Sequence, residues 1–150
     1  MIVQDIMSRR LVTVEMDDKL KVVRDIFDTL HFHHLLVVDE GRLVGVVSDR
    51  DLLRALSPFL GSVVEGERDV ATLNRRVHQI MSRHPVTLGP QASLADAAGL
   101  FLSHPISCIP IVDSEGRPAG ILSWRDLLRS LSPPTQDGDR QPANPPIQSH

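Results

Sequence analysis

The chain repeats itself, and that most constrains its fold. Ile6-Met7-Ser8-Arg9 returns as Ile80-Met81-Ser82-Arg83, Val12-Thr13 as Val86-Thr87, and Val38-Asp39 as Val112-Asp113. Leu20 and Phe27 return as Leu94 and Phe101. One inserted residue near Glu115 shifts the register. After it, Gly45-Val46-Val47-Ser48-Asp49-Arg50-Asp51-Leu52-Leu53-Arg54 returns as Gly120-Ile121-Leu122-Ser123-Trp124-Arg125-Asp126-Leu127-Leu128-Arg129. About 23 of roughly 56 aligned positions are identical, far above chance, so the chain is a tandem duplication. A unit of roughly 55 residues buries only about 60% of its unfolded surface and is marginal alone. Two such units are therefore expected to share one interior about a pseudo-two-fold axis.

Each repeat reads β-α-β-β-α, with a short helix in front. In repeat 1 that helix covers roughly residues 3–8, and Leu11 to Val14 is extended. Asp17 and Asp18 offer an N-cap to a helix carrying Leu20, Val23, Ile26, Phe27 and Leu30 at helical spacing. Leu35 to Val38 and Leu43 to Val47 read as strands joined by a hairpin-like turn at Glu40-Gly41. Ser48 then caps a helix to about Leu56, ended by Pro58. The counterparts in repeat 2 are Val86–Leu88, Leu94–Ser103, Ile109–Val112, Ala119–Leu122 and Trp124–Leu131. The continuous apolar strands predict burial on both sheet faces. The expected division is repeat 1 over 1–58, a linker over 59–76, repeat 2 over 77–132 and a Pro-rich unstructured tail over 133–150. Within the linker, Glu65 to Asp69 reads as loop and Val70 to Met81 as a helix.

Composition narrows the function. Among 150 residues aromatics are 3%, with no Tyr and one Trp, and the net charge is -3. Nucleic-acid binding is disfavoured, because neither a stacking surface nor a basic footprint is available. Cys108 is the sole cysteine, which excludes an internal disulfide and a cysteine zinc cluster. The longest apolar runs fall far short of the roughly 20 residues of a membrane helix, and the opening residues lack a signal-peptide core. A reduced, cytoplasmic protein is the expectation.

The best candidate site is the pair of strand-to-helix junctions, Ser48-x-x-Asp51 and Ser123-x-x-Asp126. Their hydroxyls can donate to phosphate, their carboxylates can accept from a ribose diol, and Arg50 and Arg125 between them can pair with phosphate. Ser-x-x-Asp is equally a capping box that needs no ligand, and the two roles can share the residues. His31-x-His33-His34 follows no metal-ligand spacing; it reads as an exposed turn, or as a group near an anion. Cys108 reads as a small buried hydrophobe, and Trp124 as a partly exposed ring free to pack on its own module, on a second subunit or over a ligand. No nucleophile is paired with a base, so catalysis has no support.

These residues resemble a tandem pair of CBS domains, a Bateman module. The resemblance rests on Asp5-Ile6-Met7-Ser8 and Gln79-Ile80-Met81-Ser82, Val12-Thr13 and Pro85-Val86-Thr87. It continues in Leu36-Val37-Val38-Asp39 and Pro110-Ile111-Val112-Asp113, and in the two Gly-x-x-Ser-x-x-Asp junctions. It implies a non-enzymatic α+β sensor with two clefts between the repeats that take AMP, ADP, ATP or S-adenosylmethionine, with no cofactor required. Asp51 and Asp126 would hold ribose, and Ser48, Ser123, Arg50 and Arg125 would lie at phosphate or ribose. Thr13 and Thr87, with neighbouring backbone, would border adenine, Leu36 and Pro110 would line its slot, His33 and His34 would sit near phosphate, and Val47, Val86 and Leu122 would also contact the ligand. It also implies a homodimer and a separate, unknown protein target. A ligand-independent interaction module is the alternative. Leu11 and Leu36 stand where repeat 2 keeps Pro85 and Pro110, so the two clefts are expected to differ.

Overall fold

The computed structural model describes residues 1–132 and carries the duplicated α+β architecture; the predicted unstructured tail lies outside the described residues. In repeat 1, β1 (Thr13–Glu15) runs parallel to β2 (His34–Asp39), with α2 (Leu20–Leu30) between them. β2 turns through Glu40 and Gly41, both at positive φ, into antiparallel β3 (Arg42–Ser48). Positive φ at both turn residues suits the tight hairpin whose twist matches its strands. Leu35, Leu36, Val37 and Val38 are all buried, as a strand covered on both faces requires. Ser48 caps α3 (Asp49–Ala55). Repeat 2 follows with α5 (Leu94–Ser103), β5 (Cys108–Val112), β6 (Pro118–Ser123) and α6 (Trp124–Ser130).

The front segments cross over. The short helix α1 (Val3–Ile6) does not pack on repeat 1, which it precedes. Val3 N–H donates to the Ala92 carbonyl at 2.9 Å and Gln4 N–H to Pro90 at 3.1 Å. Ser8 exchanges two 2.9 Å backbone bonds with Ile121. The equivalent stretch before repeat 2 docks on repeat 1: Val77 N–H donates to Asp18 O at 2.9 Å and His78 N–H to Met16 O at 3.0 Å. The two-residue β4 (Ser82–Arg83) joins β3 antiparallel. The cores follow the crossing. Val77 and Met81 pack with Val14, Leu20, Val23, Leu35, Val37, Val47 and Leu52. Val3 and Met7 pack with Ala97, Ile109, Ile111 and Leu122. A third cluster, Leu36, Val46 and Cys108 flanked by Leu11, Leu43 and Ile121, joins the repeats. Glycine is needed where the methionines cross: a Cβ on Gly45 would stand 2.7 Å from the Met81 sulfur, and one on Gly120 would collide with the Met7 sulfur.

Four expectations are corrected. The predicted helix over 70–81 is instead α4 (Glu67–Ala71), followed by 3-10 turns at Thr72–Asn74 and Val77–Gln79. Between the turns the Arg75 carbonyl accepts from Leu20 N–H at 2.9 Å, and extended pairing with repeat 1 outcompetes helix. The loop expected through Asp69 accordingly gives way to α4. Neither Asp17 nor Asp18 caps α2; Lys19 is its N-cap residue, without a side-chain bond. The Asp18 carboxylate accepts from Glu15 N–H at 2.8 Å, while Arg75 takes the first helix amide. Finally, Val86–Leu88 forms only a single parallel bridge, Leu88 to Ile111. In repeat 1 Leu36 N–H donates to the Val12 carbonyl at 3.1 Å. Its counterpart Pro110 has no N–H, so the ladder cannot extend to Val86.

Candidate functional site

Two clefts open between the repeats, and the crossing decides which residues meet in each. The larger, about 720 Å³, brings Ser48, Asp51 and Arg50 from the end of repeat 1 together with Pro85, Val86 and Pro110 from the front of repeat 2. His33, His34, Ser123, Trp124, Arg125 and Arg54 complete its walls. The smaller, about 240 Å³, brings Asp126 and Ser123 from repeat 2 against Leu11, Val12 and Leu36 of repeat 1, with Arg10, Phe32, His33 and His34. Each carboxylate thus faces the apolar slot of the other repeat.

Both junctions are closed as capping boxes. The Asp51 carboxylate accepts from Ser48 N–H at 2.9 Å, and Ser48 Oγ accepts from Asp51 N–H at 3.1 Å. In repeat 2 the matching distances are 2.8 and 3.2 Å. Both caps use Oδ2, and the second Asp126 oxygen lies 3.5 Å from the Arg129 guanidinium. The Asp51 cap uses Oδ2 alone and leaves Oδ1 outside the capping box.

The histidines sit where the clefts meet. His33 Nδ1 lies 3.0 Å from Asp49 Oδ2. Partial burial pushes the Asp49 carboxyl up, but its bonds with His33 and the Arg50 amide outweigh this and hold it below the usual carboxylate range. His34 Nε2 lies 3.1 Å from Ser107 Oγ, a contact between the repeats. Burial lowers the His34 pKa, Asp49 opposing. Cys108 borders both clefts at 8% exposure, and burial pushes its thiol up to about 12.

Of the residues singled out from the sequence, His33, His34, Ser48, Arg50, Asp51, Val86, Pro110, Ser123 and Arg125 line the larger cleft. His33, His34, Leu36, Ser123 and Asp126 line the smaller. Thr13, Val47, Thr87 and Leu122 line neither; Val47 and Leu122 are wholly buried in the two cores. Sequence reasoning missed Arg54, Ser107 and Ile106 in the larger cleft, and Arg10 and Phe32 in the smaller. Arg54 was findable, being four residues after Arg50 on one helix face. Arg10 stands 5.5 Å from the Phe32 ring, and Arg125 stands equally far from the ring of Trp124, which is 44% exposed. Among the described residues no cluster of three or more His, Cys, Asp or Glu side chains could hold a metal, and no helix is long and apolar enough to cross a membrane.

Comparison with known proteins agrees with this architecture. The CBS domain family model matches twice, at residues 3–58 and 77–133. A CBS domain-containing protein of Dictyostelium discoideum is 34% identical over 132 residues, covering 87% of this chain and 90% of that one. The chain spans under half of several other curated relatives, 46% and 43% of two from Methanocaldococcus jannaschii. Among solved structures, CBSX2 of Arabidopsis thaliana in complex with AMP is 28% identical at TM-score 0.71, covering 87% of this chain and 95% of that one. The CBS domain pair of protein MJ0100, in complex with 5′-methylthioadenosine and S-adenosyl-L-methionine, is 25% identical at TM-score 0.71 over the same shares.

Proposed function

The chain belongs to the CBS domain family and carries the domain twice, and from that premise we propose that it is a regulatory sensor of an adenosine-containing ligand. The carrying observation is the larger cleft, which brings Asp51 of repeat 1 together with Val86 and Pro110 of repeat 2. A ribose diol on the carboxylate and a base in the slot would leave any phosphate toward Ser48, Arg50 and Arg125. The similar CBSX2 and MJ0100 structures, with AMP and with adenosine-derived sulfur compounds, support the class of ligand. We assign the protein no catalytic step.

Ligand occupancy would favour one arrangement of the repeats, which a separate protein reads. We further propose a cytoplasmic homodimer. Leu53 on α3 and Leu128 on α6 are exposed, as is Leu131 just beyond, and they offer an apolar surface for pairing; light scattering behind a sizing column tests it. The buried free thiol of Cys108 suits a reducing compartment.

The testing experiment is a thermal-shift series with AMP, ADP, ATP, NAD and S-adenosylmethionine. It is run on the parent chain and on Asp51→Ala and Asp126→Ala, each variant compared with its own ligand-free midpoint. Ligand at 100 times its Kd adds about 2.7 kcal/mol, a rise of roughly 5–11 °C. The expected result is a shift by at least one compound that Asp51→Ala abolishes. A second reading, a ligand-independent interaction module, draws on the capping boxes, which are complete with no ligand present. No shift by any compound, in protein freed of co-purified ligand, would establish that reading instead.

A further inference from the structure

We propose that the chain takes a single ligand, an anionic nucleoside 5′-phosphate, in the Asp51 cleft alone. The proposal rests on the adenosine-sensor reading and adds the ligand's charge class and the count of filled sites.

Three differences between the clefts carry it. The first is charge. The Asp51 cleft is walled by Arg50, Arg54 and Arg125, and among the described residues none of the three forms an ion pair with a carboxylate. Its carboxylates are Asp49 and Asp51, so the guanidinium groups outnumber them three to two. Three guanidinium groups facing one opening favour a phosphate ester and repel a sulfonium cation. In the Asp126 cleft Arg10 alone meets Asp126, one guanidinium to one carboxylate.

The second difference is room. Small-molecule sites occupy about 300–1,000 Å³. The Asp51 cleft, at about 720 Å³, falls inside that range, and the Asp126 cleft, at about 240 Å³, falls below it. Leucines at positions 11 and 36 stand in the smaller cleft where the larger has Pro85 and Pro110.

The third is a single backbone acceptor. On the wall of the Asp126 cleft the Val12 carbonyl is taken by Leu36 N–H at 3.1 Å. In the Asp51 cleft the equivalent residue is Val86, whose carbonyl has no such ladder donor because Pro110 lacks an N–H. A carbonyl left without its ladder partner can accept from the exocyclic amino group of a base lodged in the slot. The same proline that shortens the sheet of repeat 2 thereby supplies base recognition to one cleft only.

The test is calorimetric titration of the full chain, stripped of co-purified ligand, with adenosine, AMP, ATP and S-adenosylmethionine at low and high salt. The expected result is one nucleotide per chain, with AMP and ATP binding roughly tenfold or more tighter than adenosine. That advantage shrinks in high salt, and the ratio of AMP to adenosine affinity falls toward one when Arg50, Arg54 and Arg125 are replaced together by Ala. These side chains are exposed, and an unchanged melting curve confirms that the variant folds. Two ligands per chain, S-adenosylmethionine or adenosine binding as tightly as AMP, or an unaltered affinity ratio in the triple variant would each overturn the proposal while leaving the sensor reading in place. Failure of all four compounds overturns both.

Discussion

At the scale of single residues, the clefts owe their character to side chains whose two chemical faces serve different ends. Cys108 borders both clefts, yet its thiol lies up at about 12 through burial. Thiolate is the reactive form, so iodoacetamide should modify native protein far more slowly than a free cysteine, and at the ordinary rate in denaturant, as read by mass spectrometry. His34 gives a pH dependence with a definite sign. Its folded pKa lies below 6.5, so the unfolded chain takes up the proton first. Stability is full above pH 6.5, declines as pH falls from 6.5 through the depressed value, and levels off below it. Urea midpoints measured between pH 8 and 5 should show this decline, and His34→Gln should flatten it. The lowered Asp49 titration belongs to a separate window below pH 3.8. Residue chemistry was largely legible in the sequence: Ser48, Asp51 and Asp126 announce themselves by type and spacing. The crossed pairing of Asp51 with Val86 was not, because the repeat shows which residues correspond but not that each front segment docks on the other copy.

Among the elements, periodicity exposed α2, α5 and the two hairpins, since their burial patterns are local. It misread residues 70–81, whose hydrogen-bond partners near Met16 and Asp18 lie far back along the chain. It overextended the first strand of repeat 2 because the missing donor belongs to Pro110 on the opposite strand. The glycines at the crossing were readable as a repeated position but not as a steric need. Gly45→Ala and Gly120→Ala should each cost about 1–3 kcal/mol, since an added methyl must displace a packed methionine. Denaturant midpoints check this. Ser93 is the side-chain cap of α5, accepting from Asp96 N–H at 3.0 Å. Ser93→Ala should lower stability by about 1 kcal/mol.

For the whole molecule, the duplication in sequence and the lobes in space are out of step. The lobe around α2 is closed by Val77 and Met81, and the lobe around α5 by Val3 and Met7. Removing residues 1–8 should therefore weaken the distant repeat. Hydrogen exchange on such a truncated chain should show β5 and β6 losing protection before β2 and β3. A fragment spanning residues 9–83 holds a full set of core partners for its lobe, whereas one spanning 1–58 lacks Val77 and Met81. Circular dichroism of the two should find ordered structure in the first and much less in the second. The repeat boundary seen in the sequence marks ancestry, and the interior is partitioned along another line.

That offset also imposes an order on how a nascent chain can assemble. As synthesis proceeds toward the C-terminus, Val3 and Met7 emerge long before their partners Ile109, Ile111 and Leu122. The lobe around α2 can close once Met81 has left the ribosome, while the opening segment waits with two core side chains unsheltered. The α1 segment is tied to β5 and β6, so the module is sealed only after the strands of the second repeat have been made.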